Sequence, residues 1–204
     1  MQVNVLPVGM LQTNCYILSA ADNTAVIIDP GDEAERIVRF VKSQNLSVKA
    51  IWLTHGHFDH VEAVKPLKEI FSCPVIACRC EQTLLADPML NLSGHFTDRT
   101  VSLAADVYYD DGDTFVFGSE TVTVLHTPGH TSGSCCYLVG DMLFSGDTLF
   151  QCSIGRTDFP TGDMRAMQAS LERLAHLSRD FTVYPGHGPA TDLQTEKQQN
   201  PYMQ

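Results

Sequence analysis

The sequence predicts an α/β fold in which sheets are covered by helices, and three observations carry that expectation. Short apolar strands and amphipathic helices alternate in both halves of the chain instead of segregating. The 204 residues show no composition break, which fits one domain over 1–204 better than two small ones. Hydrophobic residues make up 44% of the chain, the ordinary content of a protein with a real core.

The elements follow in order. Residues 2–8 and 14–19 read as strands, and "AVIID" at 25–29 is a third, closed by Pro30-Gly31. Behind an acidic first turn, 32–44 place Ile37, Val38, Phe40 and Val41 at helical spacing. "VKAIWL" (48–53) is nearly continuous in apolar residues, as a strand buried on both faces would be. A helix over about 60–70 follows, then the strand "PVIAC" (74–78), a short helix at 79–86 and a mostly irregular 87–106. "DGDTFVFGSETVTVLH" gives two strands around Gly118-Ser119, and "SCCYLVGDMLFSG" a hairpin turning at Gly140-Asp141. Residues 163–177 form an amphipathic helix through Met164, Met167, Leu171 and Leu174; the strand "FTVYP" and a polar helix complete the chain.

Charge narrows the partners. Thirteen basic against twenty-four acidic residues give −11, a surface that repels phosphate backbones, so no nucleic-acid partner is expected. No stretch approaches the ~20 apolar residues of a membrane span. The N-terminus has neither the basic nor the apolar region of a secretory signal. The expectation is a cytoplasmic protein with no membrane partner; its oligomeric state stays open. Seven cysteines without framework spacing read as reduced thiols. Cys73, Cys78 and Cys80 lack a fourth ligand nearby in sequence, so a zinc cluster there is set aside. His126 reads as the end of a strand, and His176 lies on a helix with no nearby partner.

Chemistry concentrates where four strands stop. "IWLT" runs into His55-Gly56-His57, "TVTVLH" into Pro128-Gly129-His130, "MLFS" into Gly146-Asp147, and "FTVY" into Pro185-Gly186-His187. Each time a glycine permits a sharp turn beside a nitrogen or oxygen ligand, on a loop held by a rigid scaffold. With Asp59 and His60 the set is His55, His57, Asp59, His60, His130, Asp147 and His187. A single histidine is commonly structural, but four candidate ligands in six residues are not explained that way. Seven ligands exceed what one open tetrahedral site takes, and suit two ions about 3.5–4 Å apart. The absence of cysteine points to two divalent metals, zinc first, with iron or manganese as alternatives.

In that order, "THGHFDH", "TPGHTSG", "SGDTLF" and "YPGHGP" resemble the metallo-β-lactamase superfamily, over essentially the whole chain. The resemblance implies an αβ/βα four-layer sandwich of two mixed sheets. It implies His55, His57 and His130 around one metal, Asp59, His60 and His187 around the other, and Asp147 between them. "IIDPG" also matches, making Asp29 a partner behind a ligand histidine, with a plain turn aspartate as the equal alternative.

Within the superfamily, the chain lacks an export signal and the cysteine that many β-lactamases carry where Asp147 stands. It has no room for the inserted domains of the nucleases, and nothing marks a lactonase. "SIGRTDFPTGD" (153–163) is similar to short bacterial glyoxalase II enzymes, the hydroxyacylglutathione hydrolases. The implied activity is hydrolysis of S-lactoylglutathione or a similar thioester by a metal-bridging hydroxide, which Asp59 orients. The alternatives are a mononuclear-iron glutathione persulfide dioxygenase using His55, His130 and Asp147, and a non-catalytic metal-binding scaffold. No separate C-terminal helical substrate domain is expected, so thioester hydrolysis follows more directly than glutathione recognition. Arg156 would either meet a glutathione carboxylate or, the preferred reading, pair with Asp158 or Asp163. Asn91 and His95 are candidate substrate-cleft residues, although a loop histidine is more commonly just exposed.

Overall fold

The computed structural model describes residues 1–204. One sheet runs in sequence order through β1 (Gln2–Val8), β2 (Thr13–Ser19), β3 (Thr24–Ile28), β4 (Ser47–Trp52), β5 (Val75–Cys78) and β6 (Val107–Tyr109). Its first three strands pair antiparallel and the rest parallel. The second sheet uses β7 (Thr114–Phe117), β8 (Glu120–His126), β9 (Cys135–Val139), β10 (Met142–Gly146), β13 (Thr182–Pro185) and β14 (Thr191–Asp192), in the spatial order β14-β13-β10-β9-β8-β7. A ribbon of β11 (Leu149–Phe150) and β12 (Ser153–Ile154) stands apart. The helices are α1 (Ala34–Ser43), α2 (Phe58–Val61), α3 (Val64–Phe71), α4 (Gln82–Ala86), α5 (Ser93–Phe96), α6 (Met164–Ala175) and α7 (Leu193–Gln199).

Both sheets are mixed, and three apolar layers make the expected four-layer sandwich. Trp52, Ile28, Tyr137, Val124 and Phe144 fill the space between the sheets. Ile37, Val41 and Leu67, from α1 and α3, cover the outer face of the first sheet. Met167, Leu171, Leu174 and Leu193, from α6 and α7, cover the second. Strand alternation does the sorting: on β10, Met142 and Phe144 face the inter-sheet layer while Leu143 faces the helices. All of β2 is buried, as a strand with both faces covered must be.

Two details depart from the sequence reading. The helix expected over about 60–70 begins at Phe58 and breaks between α2 and α3. The N–H of Ala63 donates to Pro30 O at 3.1 Å, so the helical ladder is diverted into the neighbouring loop. The short pairings β6, β11–β12 and β14 had no periodic signal, because two or three residues are too few to show one.

The chain also ties the sheets together where the ligand loops emerge. Tyr16 Oη donates to Pro185 O at 2.7 Å and Asn14 Nδ2 to Gly188 O at 2.8 Å, anchoring the 185–188 loop on the first sheet. Cys135 N donates to Thr54 O at 2.8 Å, joining the second sheet to the end of β4.

Candidate metal centre

The loops after β4, β8, β10 and β13 meet, and α2 adds Asp59 and His60. Ligand atoms of His55, His57 and His130 lie within 4.8 Å of one another, and so do those of Asp59, His60 and His187. Asp147 stands between the two groups. Its Oδ2 is 3.5 Å from His130 Nε2 and 3.6 Å from His187 Nε2, and its Oδ1 is 3.5 Å from His60 Nε2.

The hydrogen bonds behind the rings decide which nitrogen faces inward. His130 Nδ1 lies 2.7 Å from Arg156 O, His187 Nδ1 3.2 Å from Leu11 O, and His60 Nδ1 3.0 Å from Asp29 Oδ2. A nitrogen beside an oxygen acceptor carries the proton, which leaves the lone pair on each Nε2. The Thr54 hydroxyl donates to Asp29 Oδ2 at 2.6 Å, so it can only accept from His55 Nδ1 at 3.1 Å. Inward-facing lone pairs with no donor opposite them are the state of metal ligands. His55 Nε2 and Asp147 Oδ1 are buried without any hydrogen-bond partner, a cost that a cation would relieve. His57 Nδ1 and His130 Nε2 face each other at 2.8 Å, and the cluster holds no sulfur. The residues fit divalent metal ions.

Electrostatics agrees. Burial, then the neighbouring imidazoles, push His55 and His57 well below the usual histidine range, so both are neutral at pH 7. At His60 burial acts the same way, but the carboxylates of Asp59, Asp147 and Asp29 outweigh it and favour a positive charge there, which a metal ion on Nε2 would supply in place of a second ring proton. That field favours positive charge at the point where His60, Asp59 and Asp147 meet. Burial would raise Asp59, yet His60, His187 and the Thr13 hydroxyl (2.9 Å from Oδ2) keep it an anion, below the usual carboxylate range.

The glycines of the four loops serve two different needs. Gly129 and Gly146 take φ of 143° and 49°, where a side chain is strained. Gly186 is needed for space, because a methyl there would run into Asp147 Oδ1 and lie 2.7 Å from His60 Cε1.

Asp29 lies behind the ligand loops, accepting from Thr54 N at 2.8 Å and lying 3.0 Å from His60 Nδ1. The expectation for Asn91 is corrected. Asn91 is fully buried, its Nδ2 donating to Val101 O at 2.8 Å and its Oδ1 accepting from Ser93 N at 3.0 Å, so it braces its own loop. Arg156 is likewise committed elsewhere, pairing through Nε and Nη2 with Asp158 at 2.7 Å and lying 3.8 Å over the Phe159 ring. Asp163, its other expected partner, caps α6 instead. His95 is exposed on α5, its ring 6.3 Å from that of Phe96. An aromatic run leads outward from the site: Phe159 lies 5.9 Å from His57, Phe96 6.4 Å further on, and Phe58 stacks on Phe96 at 6.1 Å.

Glu81 escaped the sequence reading. It is 1% exposed, and its carboxylate accepts from Gly56 N at 2.8 Å and from Thr131 Oγ1 at 2.9 and 3.0 Å, clasping both loops of the His55/His57/His130 group. Nothing local marked it, since an acidic residue opening a short helix usually faces solvent. Thr13, the first residue of β2, was missed too, because strand alternation does not mark which hydroxyl will meet a ligand carboxylate from another element.

A fold and site of this kind define a metal-dependent hydrolase class. The chain belongs to the metallo-beta-lactamase superfamily, whose sequence profile matches residues 8–187. It is 33% identical over 215 residues to hydroxyacylglutathione hydrolase GloC of Haemophilus influenzae, covering 100% of this chain and 98% of that one. The structure described as BLEG-1 B3 metallo-beta-lactamase superposes with a TM-score of 0.93 at 40% identity, covering 99% of both chains. TTHA1623 in a di-iron-bound form superposes with a TM-score of 0.87 at 37% identity, covering 98% of this chain and 100% of that one. No helix is long and apolar enough to cross a membrane.

Proposed function

We propose that this protein is a binuclear metal-dependent thioesterase of the glyoxalase II type, acting on S-lactoylglutathione or a related small thioester. The observation that carries the reading is the complete second ligand group. Asp59, His60 and His187 lie beside His55, His57 and His130, with Asp147 in reach of both. A mononuclear oxygenase needs only His55, His130 and Asp147, and would leave four of the ligand residues, His57, Asp59, His60 and His187, without a task. Near-complete mutual coverage with GloC supports the same assignment.

Two bound divalent ions would supply an activated water at neutral pH and polarisation of the thioester carbonyl. The protein's part is orientation. Asp147 holds the two groups in register, and Asp59, fixed by Thr13, offers a carboxylate oxygen to orient the attacking water. The leaving thiol has an ordinary pKa near ~8.5, so no strong general acid is required, and none stands in the site. The acyl group would pass the Phe159–Phe96–Phe58 run, with His95 beside Phe96.

The test combines elemental analysis of the freshly purified protein with three assays: thiol release from S-lactoylglutathione, oxygen uptake with glutathione persulfide, and β-lactam hydrolysis. Two metal equivalents, thiol release and no oxygen uptake support the proposal. One iron with oxygen uptake assigns the dioxygenase chemistry instead. The likeness to BLEG-1 is the reason for the third assay, and activity on β-lactams alone overturns the thioesterase reading. Inactivity in all three, with metal retained, would leave a scaffold.

A further inference from the structure

A second cluster of metal-type ligands lies behind the site, assembled from segments far apart in sequence. Cys78 ends β5, Cys80 lies in the 3-10 turn that follows, and His126 ends β8 on the other sheet. The two sulfurs and a ring nitrogen of His126 all lie within 4.8 Å of one another. His126 Nε2 is 2.8 Å from Ser132 O and therefore carries the proton, leaving the lone pair on Nδ1. A histidine whose outer N–H is held by a backbone carbonyl has the fixed tautomer typical of metal ligands. The backbone of His126 is fixed too, its N–H donating to Asp111 Oδ1 at 2.9 Å and its carbonyl accepting from Arg173 Nη1 at 2.9 Å. Cys78 is buried while Cys80 is exposed, so the trio has one closed side and one open to solvent.

We propose that Cys78, Cys80 and His126 form a distinct site for a soft, thiophilic metal ion of the zinc, cadmium or copper(I) class. Two thiolates and an imidazole with an open fourth position suit such ions and not the hard cations that prefer oxygen. Binding a divalent ion replaces both thiol protons, which pass to solvent, and forms two metal–sulfur bonds without any change of oxidation state. Burial pushes the Cys78 thiol up to about 12, so in the absence of an ion that sulfur stays protonated at neutral pH. The turn bearing Cys80 packs against Gly133 of the loop that follows His130.

The seven-ligand centre contains no sulfur, and this separates the two sites in a single experiment. Protein preloaded with zinc is titrated with cadmium while the ultraviolet sulfur-to-cadmium charge-transfer band is followed. The expected result is a band saturating at one equivalent, lost or weakened more than about tenfold in Cys80→Ser and in His126→Gln. It should persist in Cys152→Ser, which removes the other exposed thiol. Absence of the band, its persistence in Cys80→Ser, or its loss in Cys152→Ser overturns the proposal. Circular dichroism of each variant confirms folding, and the exposed position of Cys80 makes its serine variant the decisive one.

Discussion

Asp29 Oδ2 and His60 Nδ1 lie 3.0 Å apart with both side chains buried, so the carboxylate dictates which face of the imidazole looks into the site. Asp29 holds φ at 50°, a conformation that asparagine also tolerates. Asp29→Asn should therefore fold, yet lose the charge that orients His60. The expected result is about 10–100-fold weaker binding of one metal equivalent, read by competition with a chromophoric chelator. Unchanged affinity would reduce Asp29 to a turn residue.

Asp147 and His187 order themselves differently. Asp147 reaches both ligand groups, whereas His187 faces Asp59, His60 and Asp147 alone. Asp147→Asn should disturb both metal equivalents, and His187→Ala chiefly one. Metal titration of the two folded variants checks the order. Two tightly held metals and full hydrolysis in Asp147→Asn would remove Asp147 as the bridge.

Gly186→Ala introduces a methyl against Asp147 Oδ1 and His60. Overpacking of this kind costs about 1–3 kcal/mol, and here the displaced atoms are the ligands themselves. Thermal unfolding should show a modest loss of stability and metal titration a large loss of affinity. Native affinity in this variant would contradict the close approach.

Glu81 gives a pH prediction. Burial raises its carboxyl from 4.5 to about 7, against the pull of the Gly56 and Gly133 N–H groups and the Thr131 hydroxyl. Between those values the folded state binds more protons than the unfolded one, so stability falls as pH rises through the window. Glu81→Gln removes the titration. In metal-free protein, urea unfolding at about pH 5 and about pH 7.5 should show wild type losing on the order of 2 kcal/mol more than the variant. Equal losses would mean that Glu81 titrates normally.

What the sequence determined by itself is whatever repeats locally. Alternating apolar residues placed the main strands, helical spacing placed α1 and α6, and the four glycine-flanked strand ends, with Asp59 and His60 just beyond the first of them, marked the seven candidate ligands that the fold brings close together. Each of those signals is complete within a dozen residues, because strand pleat, helix pitch and turn geometry are short-range constraints. Only the tertiary structure decided the rest. Asn91 turned inward to satisfy its own loop, and Arg156 found Asp158 rather than Asp163. Glu81 became the clasp of two loops, one 25 residues before it and the other 50 residues after it, and His126 came to stand beside Cys78 and Cys80. Such roles depend on which groups two packed sheets bring within hydrogen-bonding or ligand distance, and no periodicity along one strand encodes a partner on another.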